Sequence, residues 1–198
     1  MEKTLFRSIW LRPLMGGLSR LFFGASGWRI EGQFPPDKKI VIIGAPHTSN
    51  WDFPFLVLTG FYLRREFHWL VKDSVFKSPL GGLARRAGGI AIDRSHSEHR
   101  VEAFAQAFGA VDELALIIAP EGTRSKKERW KTGFWHIAKA AQVPVVPCWI
   151  DYPGKVVGIG EPFWPSEDLE ADLKKMAAFY QPQWARHPKL YTPPLSES

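Results

Sequence analysis

Four short apolar runs alternate along this chain with stretches of helical periodicity, and each run ends in polar residues. The runs comprise residues 39–43, 67–71, 89–92 and 114–118. Apolar runs of this length, bounded by turn-forming residues, are typical of strands that are buried on both faces. The alternation with helices predicts an α/β fold: a single domain with a mostly parallel or mixed central sheet flanked by helices.

The polar residues that follow these strands are the first candidates for a site. His47, Arg94 and Glu121 each come just after a predicted strand. Ligand sites of open α/β sheets lie at the carboxyl ends of the strands. We therefore expect these three residues to meet at one edge of the sheet.

Local signals predict where further helices begin. Ser95 and Glu98 have the spacing of a capping box, which favours a helix start. Thr132 and Ser166 are predicted N-caps of two later helices, the second of which runs to about Tyr180. These helices would cover the faces of the sheet.

Two more strands are predicted at residues 143–150 and 156–159. The first contains Pro144 and Pro147, and proline lacks the N–H group that a central strand donates. We therefore expect this strand to lie at an edge of the sheet or beside a bulge.

The N-terminal segment mixes apolar and basic residues at near-helical spacing. Its apolar members are Leu5, Phe6, Ile9, Trp10, Leu14, Leu18, Leu21, Phe22 and Phe23. Such a segment either lies in a membrane interface, with Trp10, Phe22 and Phe23 in the acyl boundary, or packs on the domain as an ordinary amphipathic helix. Pro13 and the Gly16-Gly17 pair are expected to break or kink it.

Composition narrows the class of partner. The formal net charge of +6 favours phospholipid headgroups, nucleic acid or phosphorylated small molecules. Nine tryptophans and fourteen phenylalanines suit either a bilayer interface or an aromatic-rich core.

A single cysteine permits a reducing compartment and excludes an internal disulfide. No apolar stretch reaches the roughly twenty residues of a spanning helix, and arginines interrupt the N-terminal apolar positions, so neither a transmembrane helix nor a signal peptide is expected.

His47 and Asp52 stand five residues apart, where a strand ends and a helix can begin. A carboxylate on one imidazole nitrogen fixes the tautomer and raises the basicity of the other nitrogen. That nitrogen can then remove a proton from an alcohol as general base. A histidine and an aspartate at this spacing also co-occur by chance, so the pair alone leaves its role open.

The residues after the other strand ends suit an anionic ligand that carries hydroxyl groups. Arg94 and Arg124 have guanidinium groups that can bind a phosphate through two hydrogen bonds. Gly122 allows the backbone to approach a ligand closely, and Thr123 offers a hydroxyl donor. Glu121 can accept a hydrogen bond from a substrate hydroxyl or hold an arginine in place. A polar turn and a solvated strand end are the alternatives.

Four ordered blocks carry a family resemblance. They are His47-Thr-Ser-Asn-Trp-Asp52, Gly89-Ile-Ala-Ile-Asp-Arg94, Pro120-Glu-Gly-Thr-Arg-Ser125 and Val143-Pro-Val-Val-Pro147. In this order and spacing, the chain resembles the glycerophospholipid acyltransferase family, to which the lysophosphatidic acid acyltransferases belong. Pro46 and Ala119 depart from the family pattern, in which Asn often precedes the histidine and Phe often precedes the Pro-Glu-Gly sequence.

The resemblance implies an acyl transfer in phospholipid biosynthesis. His47 would be the general base on the acceptor hydroxyl and Asp52 the residue that orients it, without an acyl-enzyme. The donor would be acyl-CoA or acyl carrier protein, used as a co-substrate, and no metal or other cofactor is expected. His96 and His99 flank Glu98, but without a third ligand in the sequence this pattern is more typical of a solvated helix face than of a metal site.

The resemblance also implies the acceptor and the organisation of the chain. The acceptor would be a lysophospholipid, with 1-acylglycerol-3-phosphate expected first. Its glycerol and phosphate would be bound by Arg94, Glu121, Gly122, Thr123 and Arg124. We expect a membrane-surface segment at residues 1–30, an acyltransferase domain at 31–182 and an irregular, loosely packed tail at 183–198. The protein is expected on the cytoplasmic face of a membrane with anionic lipids, as a peripheral or monotopic protein.

Other functions stay open at this stage. A non-catalytic lipid-binding protein could keep the same fold and basic surface, but it would not need His47 and Asp52. A hydrolase is disfavoured because the chain has no Gly-x-Ser-x-Gly sequence. A nucleic-acid-binding protein is disfavoured because the basic residues are dispersed and no recognised module is present. Another lysolipid could also replace the expected acceptor.

Overall fold

A computed structural model describes residues 4–79, 81–92 and 98–196 of the chain. The strands are β1 (Arg29–Glu31), β2 (Lys39–Gly44), β3 (His68–Lys72), β4 (Gly89–Ile92), β5 (Leu114–Ile118), β6 (Val145–Asp151) and β7 (Val156–Ile159). The α-helices are α1 (Leu11–Ser26), α2 (Asp52–Leu63), α3 (Asp73–Phe76), α4 (Gly81–Arg86), α5 (Glu98–Gly109), α6 (Gly133–Ala141) and α7 (Leu169–Phe179). Strands therefore alternate with helices along the chain.

All these strands belong to one sheet, in the order β1-β7-β6-β2-β5-β3-β4. Neighbouring strands are parallel, except that β6 and β7 are antiparallel. The strands β6, β2, β5, β3 and β4 therefore run in one direction. The prediction of a single-domain α/β fold with a mostly parallel or mixed sheet and flanking helices is confirmed.

Helices pack on both faces of the sheet and bury it. In β2, the residues Ile40, Val41, Ile42 and Ile43 are all between 0% and 2% exposed. Val41 and Ile43 belong to a core with side chains of α5, α6 and α7, whereas Ile40 and Ile42 belong to a core with side chains of α2. A strand covered on both faces needs apolar residues at every position, which explains the continuous apolar runs in the sequence.

The register between β2 and β5 determines where the candidate site lies. Ile43 pairs with Ile118 at the carboxyl ends of these two parallel strands. The loops that follow therefore leave the sheet side by side. The first loop carries His47 and the second carries Glu121, so two of the three predicted strand-end residues lie on adjacent loops.

The helix α1 runs without a break through Pro13 and the Gly16-Gly17 pair, so the predicted break is wrong. Pro13 is the third residue of α1, where its missing N–H group would have had no partner within the helix. A Cβ atom on Gly16 would lie 3.5 Å from the carbonyl oxygen of Phe61. The small residue therefore lets α1 pack closely on α2.

Two aromatic side chains near the end of α1 contact aromatic residues of α2. Phe23 is 6% exposed, and its ring centroid lies 5.3 Å from that of Tyr62. The predicted insertion of Phe23 into an acyl boundary is therefore wrong, because α2 buries this side chain. The ring centroid of Phe22 lies 5.8 Å from that of Phe55, but Phe22 is only half-buried, so its insertion stays a prediction.

Other apolar side chains near the N-terminus are exposed. The set comprises Ile9, Trp10, Leu14, Leu18 and Leu21, with exposed fractions from 48% to 87%. From Trp10 to Leu21 their spacing of three or four residues places them on one side of the helix. Within residues 4–79, 81–92 and 98–196, no helix combines the length and the apolar character that crossing a membrane requires.

The two predicted N-caps have different outcomes. Thr132 is the N-cap residue of α6 as predicted, but its side chain makes no capping hydrogen bond. Asp168, not Ser166, caps α7 by accepting from the N–H of Ala171 at 3.0 Å. The hydroxyl oxygen of Ser166 accepts from the N–H of Asp168 instead, which orders the turn before the helix. The predicted capping box begins at Ser95, which lies outside the described residues.

The strand β6 lies between β2 and β7, so of the two predicted positions the edge is wrong and a place beside an irregularity in the pairing remains. The pairing partner of Val145 is Phe163, whereas the partner of Cys148 is Ile159. The pairing therefore shifts by one residue around Pro147. The carbonyl oxygen of Pro147 accepts from the N–H of Gly160 at 2.7 Å. Because β7 ends at Ile159, the N–H group that Pro147 lacks is not needed for pairing with β7. A central strand can contain proline at such a position.

The C-terminal tail is more ordered than predicted. It forms 3₁₀ turns at Pro182–Trp184 and Pro188–Leu190, and Thr192 is 0% exposed. The indole N–H of Trp130 donates to the carbonyl oxygen of Thr192 at 2.8 Å. The tail therefore packs against the loop that follows β5, and the prediction of loose packing is wrong.

Candidate active site

The two predicted catalytic residues are hydrogen-bonded to each other. His47 lies in the loop between β2 and α2, and Asp52 is the first residue of α2. The Nδ1 atom of His47 lies 2.9 Å from the Oδ2 atom of Asp52. The backbone N–H of Ser49 donates to the same oxygen at 3.1 Å, and a negative charge in the first turn of a helix is further stabilised by the helix dipole.

This contact determines which imidazole nitrogen is basic. Because an ionised carboxylate only accepts hydrogen bonds, Nδ1 of His47 carries the proton and Nε2 has a free electron pair. The side chain of His47 is 23% exposed, whereas that of Asp52 is 10% exposed. The His47 side chain is thus accessible to a ligand while the Asp52 carboxylate bonded to it is shielded, an arrangement that suits general-base catalysis.

Sequence reasoning missed a third residue of this cluster. The hydroxyl of Tyr152, in the turn between β6 and β7, donates to the Oδ1 atom of Asp52 at 2.6 Å. Nothing in the local pattern around Tyr152 distinguishes it from an ordinary turn tyrosine. Its contact with Asp52 depends on the order of the strands in the sheet, which places the β6–β7 turn near the start of α2.

Glu121 connects the two strand-end loops. Its Oε1 atom accepts from the backbone N–H of His47 at 2.8 Å, and the residue is only 2% exposed. Its Oε2 atom is buried without a hydrogen-bond partner. Burial raises the pKa of Glu121 to about 7, and the N–H of His47 opposes this effect only in part. The carboxyl group therefore changes its charge near neutral pH.

The rest of the predicted acceptor-binding loop lines a cavity beside His47. Gly122 has a φ angle of +66°, and a Cβ atom there would lie 3.2 Å from Nζ of Lys131. Both the left-handed backbone and the lack of space favour glycine. Thr123 and Arg124 follow it along the cavity wall. Arg94 lies outside the described residues, but β4, which precedes it, ends at the same edge of the sheet.

The cavity has a volume of about 1440 Å³. Its polar lining includes His47, Asp52, Thr123 and Arg124. Its apolar lining comes from both faces of the sheet and includes Phe34, Leu56, Phe67, Phe104, Phe134 and Leu173. A polar group at the sheet edge would therefore reach His47 while apolar chains extend along the walls.

The loop between β5 and α6 is strongly basic. Its cations are Arg124, Lys126, Lys127, Arg129 and Lys131. None of them forms an ion pair with a carboxylate in the part of the chain that the structure describes. Arg124, Arg129 and Lys131 also line the cavity, so the loop brings positive charge to its wall, which favours anionic ligands.

Metal ligation receives no support from the described residues. Across residues 4–79, 81–92 and 98–196, no group of three or more His, Cys, Asp or Glu side chains could hold an ion. His96 lies outside this part of the chain, and so do the side chains of Glu98 and His99.

The structure is an α/β domain with a hydrogen-bonded histidine–aspartate pair and a cavity at the carboxyl edge of its sheet. Residues 28–151 match the profile of the family described as Acyltransferase, which is more than half of the 198 residues. The chain belongs to this acyltransferase family. The family resemblance predicted from the four sequence blocks is confirmed.

Curated relatives share part of their length with this chain. A 1-acyl-sn-glycerol-3-phosphate acyltransferase from Limnanthes douglasii is 37% identical over an alignment of 148 residues, and the match covers 68% of this chain and 48% of that protein. A protein of the same name from Cocos nucifera is 40% identical over an alignment of 84 residues, and the match covers 39% of this chain and 27% of that protein. The chain thus spans half or less of the length of these relatives.

A solved structure has a similar fold. It is the crystal structure of PlsC, the 1-acyl-sn-glycerophosphate (LPA) acyltransferase from Thermotoga maritima, with a TM-score of 0.57 and 20% sequence identity. The similarity covers 84% of this chain and 74% of that chain. At this level of identity the comparison supports the fold of the domain.

Replacing Glu121 by Gln should remove a pH dependence of stability. Burial raises the pKa of this carboxyl from 4.5 to about 7 in the folded protein. The folded state therefore holds the proton more tightly than the unfolded state, and this stabilisation is fully present below about pH 4.5 and is lost as the pH rises through about 7. Relative to Glu121→Gln, the wild type should lose about 3 kcal/mol of unfolding free energy over this range. Urea unfolding of both proteins at several pH values measures the difference. Parallel stability curves would contradict the assignment.

Proposed function

We propose that this protein moves a fatty acyl group from an acyl thioester to a hydroxyl of a lysophospholipid, with 1-acylglycerol-3-phosphate as the expected acceptor. The observation that carries the proposal is the His47–Asp52 pair on a cavity that both basic and apolar side chains line. The names of the relatives from Limnanthes douglasii and Cocos nucifera support the same acceptor class.

In the proposed mechanism, Nε2 of His47 removes the proton from the acceptor hydroxyl. The oxygen attacks the carbonyl carbon of the thioester, a C–O bond forms and the C–S bond breaks. The thiolate leaves with the proton from the imidazolium. Asp52 keeps the imidazole in the required tautomer and stabilises its transient positive charge.

The proposal does not include an acyl-enzyme. Cys148 is the only cysteine of the chain, and it lines the cavity. Burial raises the pKa of its thiol above the ordinary range, and a protonated thiol is a poor nucleophile. Direct attack by the acceptor oxygen needs only the base that the site already holds.

The residues predicted to bind the acceptor have suitable chemistry for glycerol phosphate. Arg124 can bind the phosphate through two parallel hydrogen bonds, and Arg94 would add a second cation. Gly122 lets the ligand approach the backbone, and Thr123 offers a hydroxyl. The unpartnered Oε2 atom of Glu121 would accept from a glycerol hydroxyl that enters the site.

The donor and the acyl chains also fit the surroundings of His47. Acyl-CoA and acyl carrier protein both carry negative charge, which lies at the far end of the pantetheine arm from the thioester, and the basic loop complements either donor. The cavity volume of about 1440 Å³ exceeds the roughly 300–1,000 Å³ of ordinary small-molecule pockets. Its apolar walls would accommodate long acyl chains.

The exposed apolar residues near the N-terminus support binding to a membrane surface. Trp10, Leu14, Leu18 and Leu21 would enter the interface, while Arg12 and Arg20 would meet anionic headgroups. Both substrates carry acyl chains that partition into lipid, so a membrane-bound enzyme would meet them at its own surface. We place this surface on the cytoplasmic face, since the single cysteine suits a reducing compartment.

Replacing His47 by Ala should abolish formation of the diacyl product, because the residue is proposed to accept the proton and not to pack the core. Mass spectrometry of reactions with acyl-CoA or acyl carrier protein donors and a panel of lysolipids measures the product. His187→Ala is the matched control, since the side chain of His187 is exposed. The hydrogen bond from His187 to Thr48 comes from the backbone N–H, which the substitution keeps. Product from the His47→Ala protein would contradict the mechanism, and lipid binding without product from the wild type would favour a lipid-binding protein.

Replacing Arg124 by Ala should impair use of phosphorylated acceptors more than use of uncharged lysolipids. Loss of a charge-assisted pair of hydrogen bonds should raise the KM for 1-acylglycerol-3-phosphate by about tenfold or more. Lys38→Ala removes an exposed cation at the opposite edge of the sheet, before β2, and should leave both acceptors unaffected. Equal losses for charged and uncharged acceptors in Arg124→Ala would remove the phosphate role.

The double variant Leu14→Ser, Leu21→Ser should bind vesicles with anionic phospholipids more weakly than the wild type, by about tenfold or more, because it removes two apolar side chains from the interface. Co-sedimentation measures the bound fraction. Leu83→Ser is the control, because Leu83 is 59% exposed but lies on α4. Unchanged binding in the double variant would contradict the proposed membrane surface.

A further inference from the structure

Both carboxylate oxygens of Asp52 accept hydrogen bonds from the protein. One of these bonds comes from a residue outside the four family blocks. We propose that Tyr152 is a positioning residue for the acyl transfer: its hydroxyl fixes the plane of the Asp52 carboxylate so that His47 presents Nε2 to the acceptor. This inference rests on the function proposed above. It concerns a residue of the β6–β7 turn that acts on the base through Asp52.

The geometry explains why a third hydrogen bond is needed. The Oδ2 atom of Asp52 receives the Nδ1–H of His47 at 2.9 Å and the backbone N–H of Ser49 at 3.1 Å. These two hydrogen bonds restrain the carboxylate at Oδ2 alone, and rotation about the Cβ–Cγ bond of Asp52 would move both oxygens together. The hydroxyl of Tyr152 donates to the other oxygen, Oδ1, at 2.6 Å. With both oxygens held, the carboxylate has one orientation, and the imidazole bonded to it is fixed as well.

The Tyr152 ring is itself held from several sides. Its centroid lies 5.7 Å from that of Trp28 and 5.9 Å from that of Phe55, both in edge-to-face contact. Its backbone N–H donates to the carbonyl oxygen of Trp184 at 3.0 Å. Segments before β1, in α2 and in the C-terminal tail therefore fix the hydroxyl. A rigid donor of this kind can transmit its position to Asp52.

A cation from the tail completes this support. The guanidinium carbon of Arg186 lies 5.7 Å from the ring centroid of Tyr152 and 5.4 Å from that of Trp51. Trp51 immediately precedes Asp52. The two ring contacts therefore join Tyr152 to the residue at the start of α2.

The tyrosine acts as a hydrogen-bond donor and not as a proton source. Burial raises the pKa of Tyr152 above its ordinary range, and the hydrogen bond to Asp52 and the charge of Asp52 raise it further. The hydroxyl therefore keeps its proton near neutral pH. Asp52 retains the negative charge that stabilises the imidazolium of His47 during proton transfer.

The test compares Tyr152→Phe with Tyr62→Phe. Each variant removes one hydroxyl from the same aromatic cluster, but only Tyr152 contacts Asp52. We expect kcat of Tyr152→Phe to fall about tenfold, the size expected for loss of one hydrogen bond to a charged group. KM for donor and acceptor should not change, because the hydroxyl does not bind either substrate. Tyr62→Phe should retain the wild-type kcat, and thermal unfolding monitors the fold of both variants.

A double-mutant cycle distinguishes positioning from a structural role. In the Asp52→Ala background, Tyr152→Phe should cause no further loss of kcat, because the hydroxyl has no carboxylate to orient. The same loss in both backgrounds would overturn the proposal. A wild-type kcat in Tyr152→Phe would also overturn it.

Proton NMR of the resting protein provides a readout that needs no turnover. The downfield resonance of the His47 Nδ1 proton should shift or broaden in Tyr152→Phe and stay unchanged in Tyr62→Phe. An unchanged resonance in Tyr152→Phe would overturn the positioning role. The two proposals can also fail separately. If the wild type forms no diacyl product but the resonance shifts in Tyr152→Phe, the acyl transfer is refuted, whereas the positioning of Asp52 by Tyr152 is supported.

Discussion

The parallel pairing of β2 with β5 is the constraint on which the site depends. Because Ile43 pairs with Ile118, the loops after these strands leave the sheet together, and the Glu121 carboxylate reaches the backbone N–H of His47 at 2.8 Å. One loop carries His47, the proposed base, and the other carries the residues proposed to bind an anionic acceptor. A shift in this register would separate the two halves of the site even if every side chain remained.

Asp52 is the point where distant parts of the chain converge. It starts α2, orients His47 from one oxygen and accepts from Tyr152 at the other. The tail contributes through Arg186, whose guanidinium lies over the rings of Trp51 and Tyr152. Segments outside the chemistry therefore support it, because general-base catalysis depends on the orientation of a single imidazole.

Local patterns in the sequence predicted the strands β2 to β7, the α/β class and the approach of His47 to Asp52, since each depends on a few neighbouring residues. Contacts between distant residues could not be read in the same way. Tyr152 and Asp52 are separated by 100 positions. The central position of β6 depends on a pairing offset beside Pro147, and the burial of Phe23 depends on the aromatic surface of α2. Tertiary contacts decided each of these cases.

The central claim is that His47 activates the acceptor for direct attack on the thioester. Intact-protein mass spectrometry during a single turnover, with excess enzyme and a labelled acyl thioester, tests this claim. The account predicts that the protein mass stays unmodified with the donor alone, and that diacyl product appears in one phase when 1-acylglycerol-3-phosphate is added. A covalent acyl adduct that forms with the donor alone, and disappears as product forms, would contradict it.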